Sequence, residues 1–338
     1  MREFAGKVAA ITGAGSGIGR ALAYELARHG ARLALSDVDE EAVRETAAVA
    51  LGHGASETAA SRVDVADRHA VQAWADETAG QFGTVNLVVN NAGVALTASV
   101  EEMDWDDFEW LMGVNFWGVA HGTKAFLPHL RRARDAHLVN ISSVFGLMGI
   151  PTQSAYCAAK YAVRGFTESL RQEMRMSGSG VRVTTVHPGG VKTNIARRAR
   201  AAGNREVDTL ADEFDKVART SPERAARIIV RGVKRNRARI FVGPDATLID
   251  VGQRLLGAGI EPLVRTFSGR SSLETGAPAP ASTSAGAKAA ATQAAGTQAT
   301  ETQAAETQAA ETRAAEPVLA EPSAAPPTGT TTRPATGS

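Results

Sequence analysis

Short apolar segments alternate with helical patterns along residues 2–270, and this alternation is the strongest constraint on the fold. The strand candidates are residues 8–11, 31–36, 59–65, 87–90, 138–141, 181–186 and 240–242. Helical patterns cover residues 18–28 and 40–50 and begin again near Asp67, Asp104, Ser154 and Pro222. Apolar strands separated by helices predict an α/β fold, in which a parallel sheet is covered by helices on both faces. Ligands of such doubly wound sheets bind beyond the carboxyl ends of the strands, so site residues are expected there.

The composition changes near residue 273, where Ala, Thr, Gln, Glu and Pro begin to dominate. Between residues 291 and 315 a five-residue unit recurs as ATQAA, GTQAT, ETQAA, ETQAA and ETRAA. A segment with few large apolar side chains cannot offset the entropy cost of ordering the chain. We therefore expect one domain over residues 1–272 and a disordered tail over residues 273–338. The tail is either a low-complexity appendage, which we favour, or a spacer that docks a partner.

Charge and cysteine content exclude several classes of protein. The formal net charge of +1 gives no bulk attraction to nucleic acid or anionic lipid. The single cysteine, Cys157, cannot form an internal disulfide or a cysteine-rich zinc site, and no metal is expected. No apolar stretch is long enough to span a bilayer, and the N-terminus does not have the pattern of a secretory signal. These observations predict a cytoplasmic protein without a transmembrane segment.

A glycine-rich segment, Thr12-Gly13-Ala14-Gly15-Ser16-Gly17-Ile18-Gly19, follows the first strand and opens the first helix. Glycine suits a tight turn, a close approach of backbone N–H groups to a diphosphate, and close packing of helix on strand. The helix N-terminus adds positive partial charge. The segment lacks the Gly-Lys-Ser/Thr ending of a P-loop, which disfavours a nucleoside triphosphate. We interpret it as a dinucleotide-binding loop; the alternative is a plain flexible turn.

The second strand ends at an acidic residue, Asp37, about 20 residues after the glycine-rich segment. A carboxylate there can accept hydrogen bonds from the adenosine ribose and would repel a 2′-phosphate. Nearby positions that could hold a cation for that phosphate carry none: Ser16, Ser36 and Val38. Asp37 therefore favours NAD(H) over NADP(H). The alternative is a solvated turn residue or a helix N-cap, a role for which Asp39 competes.

A tyrosine and a lysine, Tyr156 and Lys160, lie four residues apart and share one helix face. A free tyrosine has a pKa of about 10 and is a poor base at neutral pH. A cation nearby lowers that pKa by roughly 1–3, and an oxidised nicotinamide would add further positive charge. Tyr156 could then take the proton of an alcohol during oxidation and return it during reduction. Taken alone, such a pair is usually a surface contact.

Further polar residues close two strands or interrupt a helix. Ser143 follows the strand at 138–141, where its hydroxyl could bind a substrate oxygen as charge develops on it. The run Asn90-Asn91-Ala92-Gly93 closes another strand. Asn115 lies in a helical pattern at 110–123 between two glycines, which is unfavourable unless the residue has a role. The alternatives are turn residues for the first two and helix packing for Asn115.

Taken together, these residues resemble the short-chain dehydrogenase/reductase family over about residues 2–270. The resemblance is carried, in the family's order, by Thr12-Gly13-x3-Gly17-Ile18-Gly19, Asp64, Asn90-Asn91-Ala92-Gly93, Asn115, Ser143, Tyr156-x3-Lys160, and Pro188-Gly189 followed by Thr193. Each piece alone is weak, but their shared order argues against coincidence. The resemblance implies a Rossmann-like sheet of seven parallel strands. It also implies an oxidoreductase that transfers a hydride between NAD(H) and a small, apolar secondary alcohol or ketone.

The same resemblance implies roles for individual residues. Tyr156 would be the acid/base, Lys160 would lower its pKa and hold the nicotinamide ribose, and Ser143 would position the substrate oxygen. Asn115 would hold a water that links Lys160 to solvent. The expected cofactor contacts are Gly13, Ser16, Gly17, Ile18, Gly19, Asp37, Asp64, Val65, Asn91, Ala92, Gly93, Tyr156, Lys160, Pro188, Gly189, Val191 and Thr193. Relatives are usually dimers or tetramers built partly on the helices that carry Asn115 and Tyr156, so a homodimer or homotetramer is expected.

The substrate pocket is expected beyond Ser143 and Gly189. Nearby apolar residues predict an apolar wall: Val94, Leu96, Val144, Phe145, Leu147 and Met148. The arginine-rich stretch at 194–221, with Arg197, Arg198, Arg200 and Arg205, resembles the family's substrate lid. These arginines form a solvated face or recognise an anionic substrate tail. His187 and Cys157 are interpreted as structural, and residues 248–264 as an amphipathic subunit contact rather than a membrane-surface helix.

Two other functions stay open at the level of the sequence. One is an NADP(H)-dependent carbonyl reductase, against which Asp37 argues. The other is a catalytically silent NAD-binding regulator or scaffold that uses the tail as a docking arm, against which the complete Asn-Ser-Tyr-Lys set argues. The physiological substrate, the stereochemistry and the direction of the reaction in the cell do not follow from these patterns.

Overall fold

Nine strands organise the part of the chain that the structure describes. The strands are β1 (Val8–Thr12), β2 (Arg32–Asp37), β3 (Glu57–Arg62), β4 (Leu87–Asn90), β5 (Leu96–Thr97), β6 (Ala136–Ile141), β7 (Val181–Pro188), β8 (Arg200–Ala201) and β9 (Arg239–Val242). Seven of them form one parallel sheet in the order β3-β2-β1-β4-β6-β7-β9. The other two, β5 and β8, pair in a separate parallel sheet of two short strands. The predicted doubly wound sheet of seven strands is confirmed.

Helices connect these strands. They are α1 (Gly17–Arg28), α2 (Glu40–Gly52), α3 (Arg68–Phe82), α4 (Trp105–Met112), α5 (Gly118–Arg132), α6 (Ser154–Met176), α7 (Val207–Val217), α8 (Pro222–Lys234) and α9 (Pro244–Leu256). Single turns of other helix types occur at Gly113–Trp117, Val144–Gly146 and Gly257–Ile260. Within this described part, no helix is long and apolar enough to cross a membrane.

The computed structural model describes residues 1, 3–203 and 206–260. The chain divides into two units, Met1–Ala277 and Pro278–Ser338, and every described residue belongs to the first. The predicted tail over residues 273–338 and its boundary lie outside the described residues. The predicted amphipathic segment at 248–264 is described only as far as residue 260.

Side chains along the central strands alternate between two apolar cores, one on each face of the sheet. In β1, Ala9 and Ile11 belong to one core and Val8 and Ala10 to the other. The first core includes residues of α1, α2 and α8, and the second includes residues of α3, α5 and α6. Because both faces are covered, every residue of β1 is buried. This double burial explains why the strands are continuously apolar in the sequence.

Several helices begin where the sequence predicts them, because a polar side chain caps the first turn. The Asp39 carboxylate accepts from the Ala42 amide over 3.1 Å at the start of α2. Ser221 caps α8 in the same way, with Pro222 at the first helical position. Such caps satisfy backbone N–H groups that have no partner inside the helix.

Two predicted elements differ from the structure. The third strand ends at Arg62 rather than Val65, because the Asp64 carboxylate accepts from the Ala66 amide over 2.9 Å and turns the chain. The helical pattern over 110–123 is present, but it contains a π-helical turn, Gly113–Trp117, between α4 and α5.

The strand order reverses between β1 and β4. From β1 the chain adds β2 and β3 on one side of the sheet, and it then returns to add β4, β6, β7 and β9 on the other side. The carboxyl ends of these two strands therefore border a crevice, which is the usual ligand site of such a sheet. The glycine-rich segment follows β1, and Asn91 follows β4. The sequence thus places its most distinctive motifs at this crevice.

Candidate active site

The ends of β1 and β4 are joined by a hydrogen-bonded cluster around Thr12. Its hydroxyl accepts from the amides of Asn91 over 2.9 Å and Ala92 over 3.0 Å. The Asn91 side-chain amide in turn donates to the carbonyls of Thr12 and Gly13, at 2.9 and 3.1 Å. Asn91 and Ala92 therefore support the turn of the glycine-rich segment. The sequence pattern includes Thr12 only as part of the glycine-rich motif. In the structure, its hydroxyl fixes the backbone that follows β4.

Close packing explains two of the glycines in this segment. Gly13 has a φ of +65°, and a Cβ there would lie 2.7 Å from Ala92 Cα. A Cβ on Gly19 would lie 2.1 Å from the Gly13 carbonyl oxygen. Ser16 precedes α1 without capping it through its side chain, so the first N–H groups of α1 remain available to an anion. This arrangement fits a diphosphate at the start of α1.

Asp37 at the end of β2 is held in a fixed position. Its Oδ2 accepts from the Gly15 amide over 2.8 Å, and its Oδ1 accepts from the Asp39 amide over 3.1 Å. A cation that the sequence analysis did not consider, Arg20, lies at the same loop. Its guanidinium donates to the Gly15 carbonyl over 2.9 Å and pairs with Glu45 over 2.8 Å. The charge of Arg20 is therefore already matched by a carboxylate.

Asp64 and Val65 follow β3 at the next position along the sheet. The Asp64 side chain is exposed, whereas Val65 is buried. A Cβ on Gly118 would lie 2.7 Å from Val65 Cγ2, so Gly118 allows this close contact. The predicted contact of Asp64 with adenine stays a prediction.

Asn115 lies in the π-helical turn and is fully buried. Its Oδ1 accepts from the Val94 amide over 2.8 Å, and its Nδ2 donates to the Val94 carbonyl over 2.9 Å. The turn is thereby fixed to the loop after β4. A Cβ on Gly93 would lie 3.2 Å from Asn115 Oδ1 and 3.4 Å from Lys160 Nζ, so Gly93 lies close to both groups. A π-helical turn inside a helix often marks a functional site.

Tyr156 and Lys160 lie on α6, with Lys160 almost completely buried. The Lys160 ammonium lies 5.5 Å from the centre of the Tyr156 ring and donates to the Ile141 carbonyl over 3.3 Å. Phe145 contacts the Tyr156 ring edge-on, with ring centres 6.0 Å apart. The two predicted residues are therefore neighbours on one helix face, as their spacing indicates.

The protonation of this pair differs from the expectation. Burial raises the pKa of Tyr156 to about 12, although a hydrogen bond with the Ser143 hydroxyl works against the rise. Burial also lowers the pKa of Lys160 to about 8. The expected lowering of the Tyr156 pKa by Lys160 is not found, because loss of solvation dominates and the ammonium is directed to the Ile141 carbonyl.

Ser143 begins the short 3₁₀ turn after β6. Its hydroxyl accepts from the Phe145 amide over 3.1 Å, and its carbonyl accepts from the Gly146 amide over 3.0 Å. The Ser143 side chain is also close enough to Tyr156 to lower the pKa of its hydroxyl, so the two predicted residues are neighbours. The turn after β6, which carries Ser143, and helix α6, which carries Tyr156, therefore meet at these two side chains.

The loop after β7 is clamped by a residue that the sequence analysis missed. The Asp245 carboxylate, at the start of α9, accepts from the Gly190 amide over 2.7 Å. A Cβ on Gly189 would lie 2.0 Å from Asp245 Oδ2, so only glycine fits beside this carboxylate. The loop continues to Val191, which is buried, and pairs there with Thr220. Asp245 thereby fixes the segment that follows Pro188.

Thr193 brings the same loop to the start of α1. A Cβ on Gly17 would lie 3.2 Å from Thr193 Cγ2, so the two residues nearly touch. Ile18, the next residue, packs partly buried against the core of that face. The glycine-rich segment and the loop after β7 therefore border the same space.

Arginines of the predicted lid pair with carboxylates of the protein itself. Arg197 contacts Asp212 over 2.9 Å and Asp215 over 2.8 Å. Arg200 contacts Asp107 over 2.7 Å, and its guanidinium lies 3.9 Å from the centre of the Trp110 ring. Arg198 lies 3.8 Å from Asp39, and Arg205 is outside the described residues. These pairs favour structural charges over recognition of an anionic substrate.

The apolar residues expected to line the substrate pocket differ in burial. Val94 is partly exposed and packs, like Tyr156, against the cluster that contains the buried Leu96. Phe145 is partly exposed too, but Val144, Leu147 and Met148 are buried. Cys157 is also buried, and burial raises the pKa of its thiol. Among the described residues, no group of three or more His, Cys, Asp or Glu side chains could hold a metal ion.

Comparison with known proteins agrees with this geometry. A family model described as short chain dehydrogenase matches residues 7–204. SadH of Mycobacterium tuberculosis (strain ATCC 25618 / H37Rv), which is named as an oxidoreductase, is 52% identical over 265 residues, covering 78% of this chain and 96% of SadH.

Two solved structures show the same fold. A short chain dehydrogenase/reductase from Burkholderia phymatum in complex with NAD has a TM-score of 0.71 and 34% identity, covering 78% of this chain and 97% of its own. An alcohol dehydrogenase from the archaeon Thermococcus sibiricus, complexed with 5-hydroxy-NADP, has a TM-score of 0.60 and 28% identity, covering 70% of this chain and 94% of its own. By sequence and by fold, this chain belongs to the short-chain dehydrogenase/reductase family of oxidoreductases.

Proposed function

We propose that this protein transfers a hydride between NAD(H) and a small, apolar secondary alcohol or ketone, with Tyr156 as the acid/base. The observation that carries the proposal is the joining of Ser143, Tyr156 and Lys160 beside the crevice between β1 and β4. The apolar surroundings of Tyr156 support a small apolar substrate.

The residues at the crevice fit a nicotinamide dinucleotide. The space that Gly13 and Gly19 leave, together with the uncapped start of α1, suits the diphosphate. Asp37 would bind the adenosine ribose, and Asp64 with Val65 would lie against the adenine. The remaining contacts would come from Ser16, Gly17, Ile18, Asn91, Ala92, Gly93, Pro188, Gly189, Val191 and Thr193.

Residues of the protein would perform the proton transfer. In oxidation, the phenolate form of Tyr156 would accept the hydroxyl proton of the alcohol, while Ser143 donates to the same oxygen and holds it near the tyrosine. The positive charges of Lys160 and of bound NAD⁺ would favour that phenolate. The nucleotide supplies hydride acceptance when it is bound as NAD⁺ and hydride donation when it is bound as NADH. Lys160 supplies positive charge below a pH of about 8, where its ammonium is protonated. In reduction, Tyr156 returns its proton to the carbonyl oxygen.

The first experiment compares NAD(H) and NADP(H) turnover with a panel of secondary alcohols and ketones, on wild type and Tyr156→Phe. If wild type turns over with NAD(H) and the variant does not, the result supports the enzyme class, the choice of NAD(H) as cofactor and the acid/base role of Tyr156. Wild-type turnover linked to NADP(H) instead would overturn the cofactor assignment. Equal turnover by wild type and variant would overturn the role of Tyr156.

A second candidate, NADP(H)-dependent reduction of a carbonyl, is kept because the Thermococcus sibiricus relative is complexed with a modified NADP. The charge at Asp37 argues against it, as does the pairing of Arg20 with Glu45. A catalytically silent NAD-binding scaffold is the third candidate. It predicts tight NAD binding without turnover of any alcohol or ketone.

We further propose a homodimer or homotetramer built on the helices that carry Asn115 and Tyr156. Trp117, in the π-helical turn, and Tyr161, on α6, are large aromatic side chains that remain exposed in the single chain. Light scattering during gel filtration gives the mass directly. A monomer at micromolar concentration would contradict this assembly.

A further inference from the structure

His187 lies in β7, immediately behind the turn that carries Ser143. It is completely buried, and its Nδ1 lies 3.0 Å from the Ser143 carbonyl oxygen. Its ring stacks on Phe241, with ring centres 5.5 Å apart. A carbonyl oxygen can only accept a hydrogen bond, so Nδ1 carries the hydrogen and Nε2 carries the lone pair. The ring is therefore held in one tautomer by Ser143.

This hydrogen bond continues the contact between two strands beyond the point where their backbones stop pairing. The register of β6 with β7 ends at Ile141 and Val186, and the Ser142 amide makes the next bond, to the Val186 carbonyl over 2.8 Å. The bond from His187 to Ser143 follows it, but it comes from a side chain. The other donor to the Ser143 carbonyl, Gly146, belongs to the same short turn as Ser143.

The surroundings of His187 keep it neutral. Loss of solvation lowers the pKa of His187 to about 4, and the charges of Arg164 and Arg239 act in the same direction. The hydrogen bond to the Ser143 carbonyl and the charge of Glu168 raise the pKa but do not outweigh the loss of solvation. Glu168 itself pairs with Arg164 over 3.1 Å and with Arg239 over 2.5 Å. Nε2 is buried and has no hydrogen-bond partner within the described part of the chain. The donor at Nδ1 is thus present throughout the neutral and alkaline pH range.

We propose that His187 is a positioning residue for Ser143, one that directs the serine hydroxyl toward Tyr156 and the substrate oxygen. The inference rests on the proposed function, because it assigns the hydroxyl of Ser143 a task in the reaction. The carbonyl of Ser143 is anchored by His187, and the hydroxyl on the same residue accepts from the Phe145 amide over 3.1 Å. Without the bond from His187, the Ser143 carbonyl keeps its bond from Gly146, but that donor belongs to the same turn, so the turn as a whole could shift away from Tyr156.

A pair of matched substitutions separates this role from general packing. In His187→Asn the side-chain nitrogen occupies the place of Nδ1, whereas in His187→Gln it reaches the place of Nε2. Asparagine therefore keeps the donor to Ser143, and glutamine, like leucine, loses it. We expect kcat to fall about 10-fold to 100-fold in the Gln and Leu variants, with the KM for NAD(H) little changed, because small misplacements of reacting groups have effects of this size. The Asn variant should restore kcat.

A pH profile gives a readout that packing alone would not move. The hydrogen bond from Ser143 lowers the pKa of Tyr156, so loss of that bond raises it. In His187→Leu, the limb of the pH–rate profile of alcohol oxidation that reports Tyr156 should move to higher pH. In His187→Asn it should stay in the wild-type position.

The outcomes distinguish this inference from the proposed function. Wild-type turnover that does not depend on Tyr156 overturns the proposed function. Turnover that depends on Tyr156, with Gln and Leu variants equal to wild type in kcat and pH profile, overturns the positioning role. Equal losses in the Asn and Gln variants would also overturn it, since they would indicate packing. Crystal structures of the Asn and Leu variants give an answer without turnover: an unmoved Ser143 hydroxyl in His187→Leu contradicts the proposal.

Discussion

The backbone amide of Gly15 donates to the Asp37 carboxylate over 2.8 Å, so the end of β2 holds the glycine-rich loop in place. The Asp37 carboxylate therefore fixes the shape of the glycine-rich loop and also places a negative charge beside it. The two contributions can be separated in part, because asparagine keeps an oxygen that accepts from Gly15 but removes the charge and the second acceptor, which binds the Asp39 amide.

Asp37→Asn should shift cofactor preference toward NADP(H). The repulsion of a 2′-phosphate is lost while the loop stays supported, so the ratio of NADP(H) to NAD(H) affinity should rise by about 10-fold or more. Fluorescence titration of the purified protein with each nucleotide measures both affinities. Asp39→Asn is the matched control, because Asp39 caps α2 and should leave the ratio unchanged. An unchanged ratio in Asp37→Asn would show that the carboxylate does not select the cofactor.

Tyr156→Phe should lower kcat for alcohol oxidation by about 10²-fold to 10⁴-fold, the usual contribution of a general acid/base. The ring and its contact with Phe145 remain, so NAD(H) binding and the unfolding temperature should change little. Steady-state kinetics and calorimetric titration with NADH test both parts. Tyr161→Phe is the control, because Tyr161 lies on the same helix but is exposed, and this variant should retain wild-type kcat. A loss of similar size in both variants would contradict the assignment.

Gly189→Ala should destabilise the protein by about 1–3 kcal/mol, the cost of a lost hydrogen bond to a buried or charged group. The added Cβ would collide with the Asp245 carboxylate, which would then release the Gly190 amide. In an Asp245→Ala background the collision is absent, so the same glycine substitution should cost much less. Urea unfolding of the two single variants and the double variant measures this coupling. Additive losses would show that Asp245 does not clamp the loop.

Local sequence patterns predict those structural features that depend on residues close together in the chain. The alternation of strands and helices, the cap at Asp39 and the pairing of Tyr156 with Lys160 are all encoded within a few positions. The π-helical turn at Gly113–Trp117 was missed because its residues fit an ordinary helical pattern. Asp245 was missed for a different reason: its contact with Gly190 joins residues 55 positions apart, and nothing local marks either end. The environment of His187 was missed for the same reason, because it is formed by residues that are far apart in the chain: Ser143, Arg164 and Phe241.

Buried histidines should make the protein less stable as the pH falls below about 6.5. His137 is completely buried on β6, and loss of solvation lowers its pKa to about 3. Between these two pH values the unfolded chain binds a proton that the folded protein does not, so acidification favours unfolding. The free energy of unfolding should fall by about 1.4 kcal/mol per pH unit for each such histidine, and above the unfolded pKa this dependence should vanish. His187 adds a second contribution of the same sign down to its pKa of about 4.

The slope can be measured by urea unfolding at pH values from 8 to 5. His137→Gln should reduce this slope, because glutamine does not titrate. Its amide can keep a polar contact with the Thr184 hydroxyl, which lies 2.8 Å from Nε2 of the histidine. His69→Gln, at an exposed position, serves as the control for a histidine substitution at the surface. If the wild-type stability did not depend on pH between 6.5 and 5, the buried histidines would have to be protonated in the folded protein.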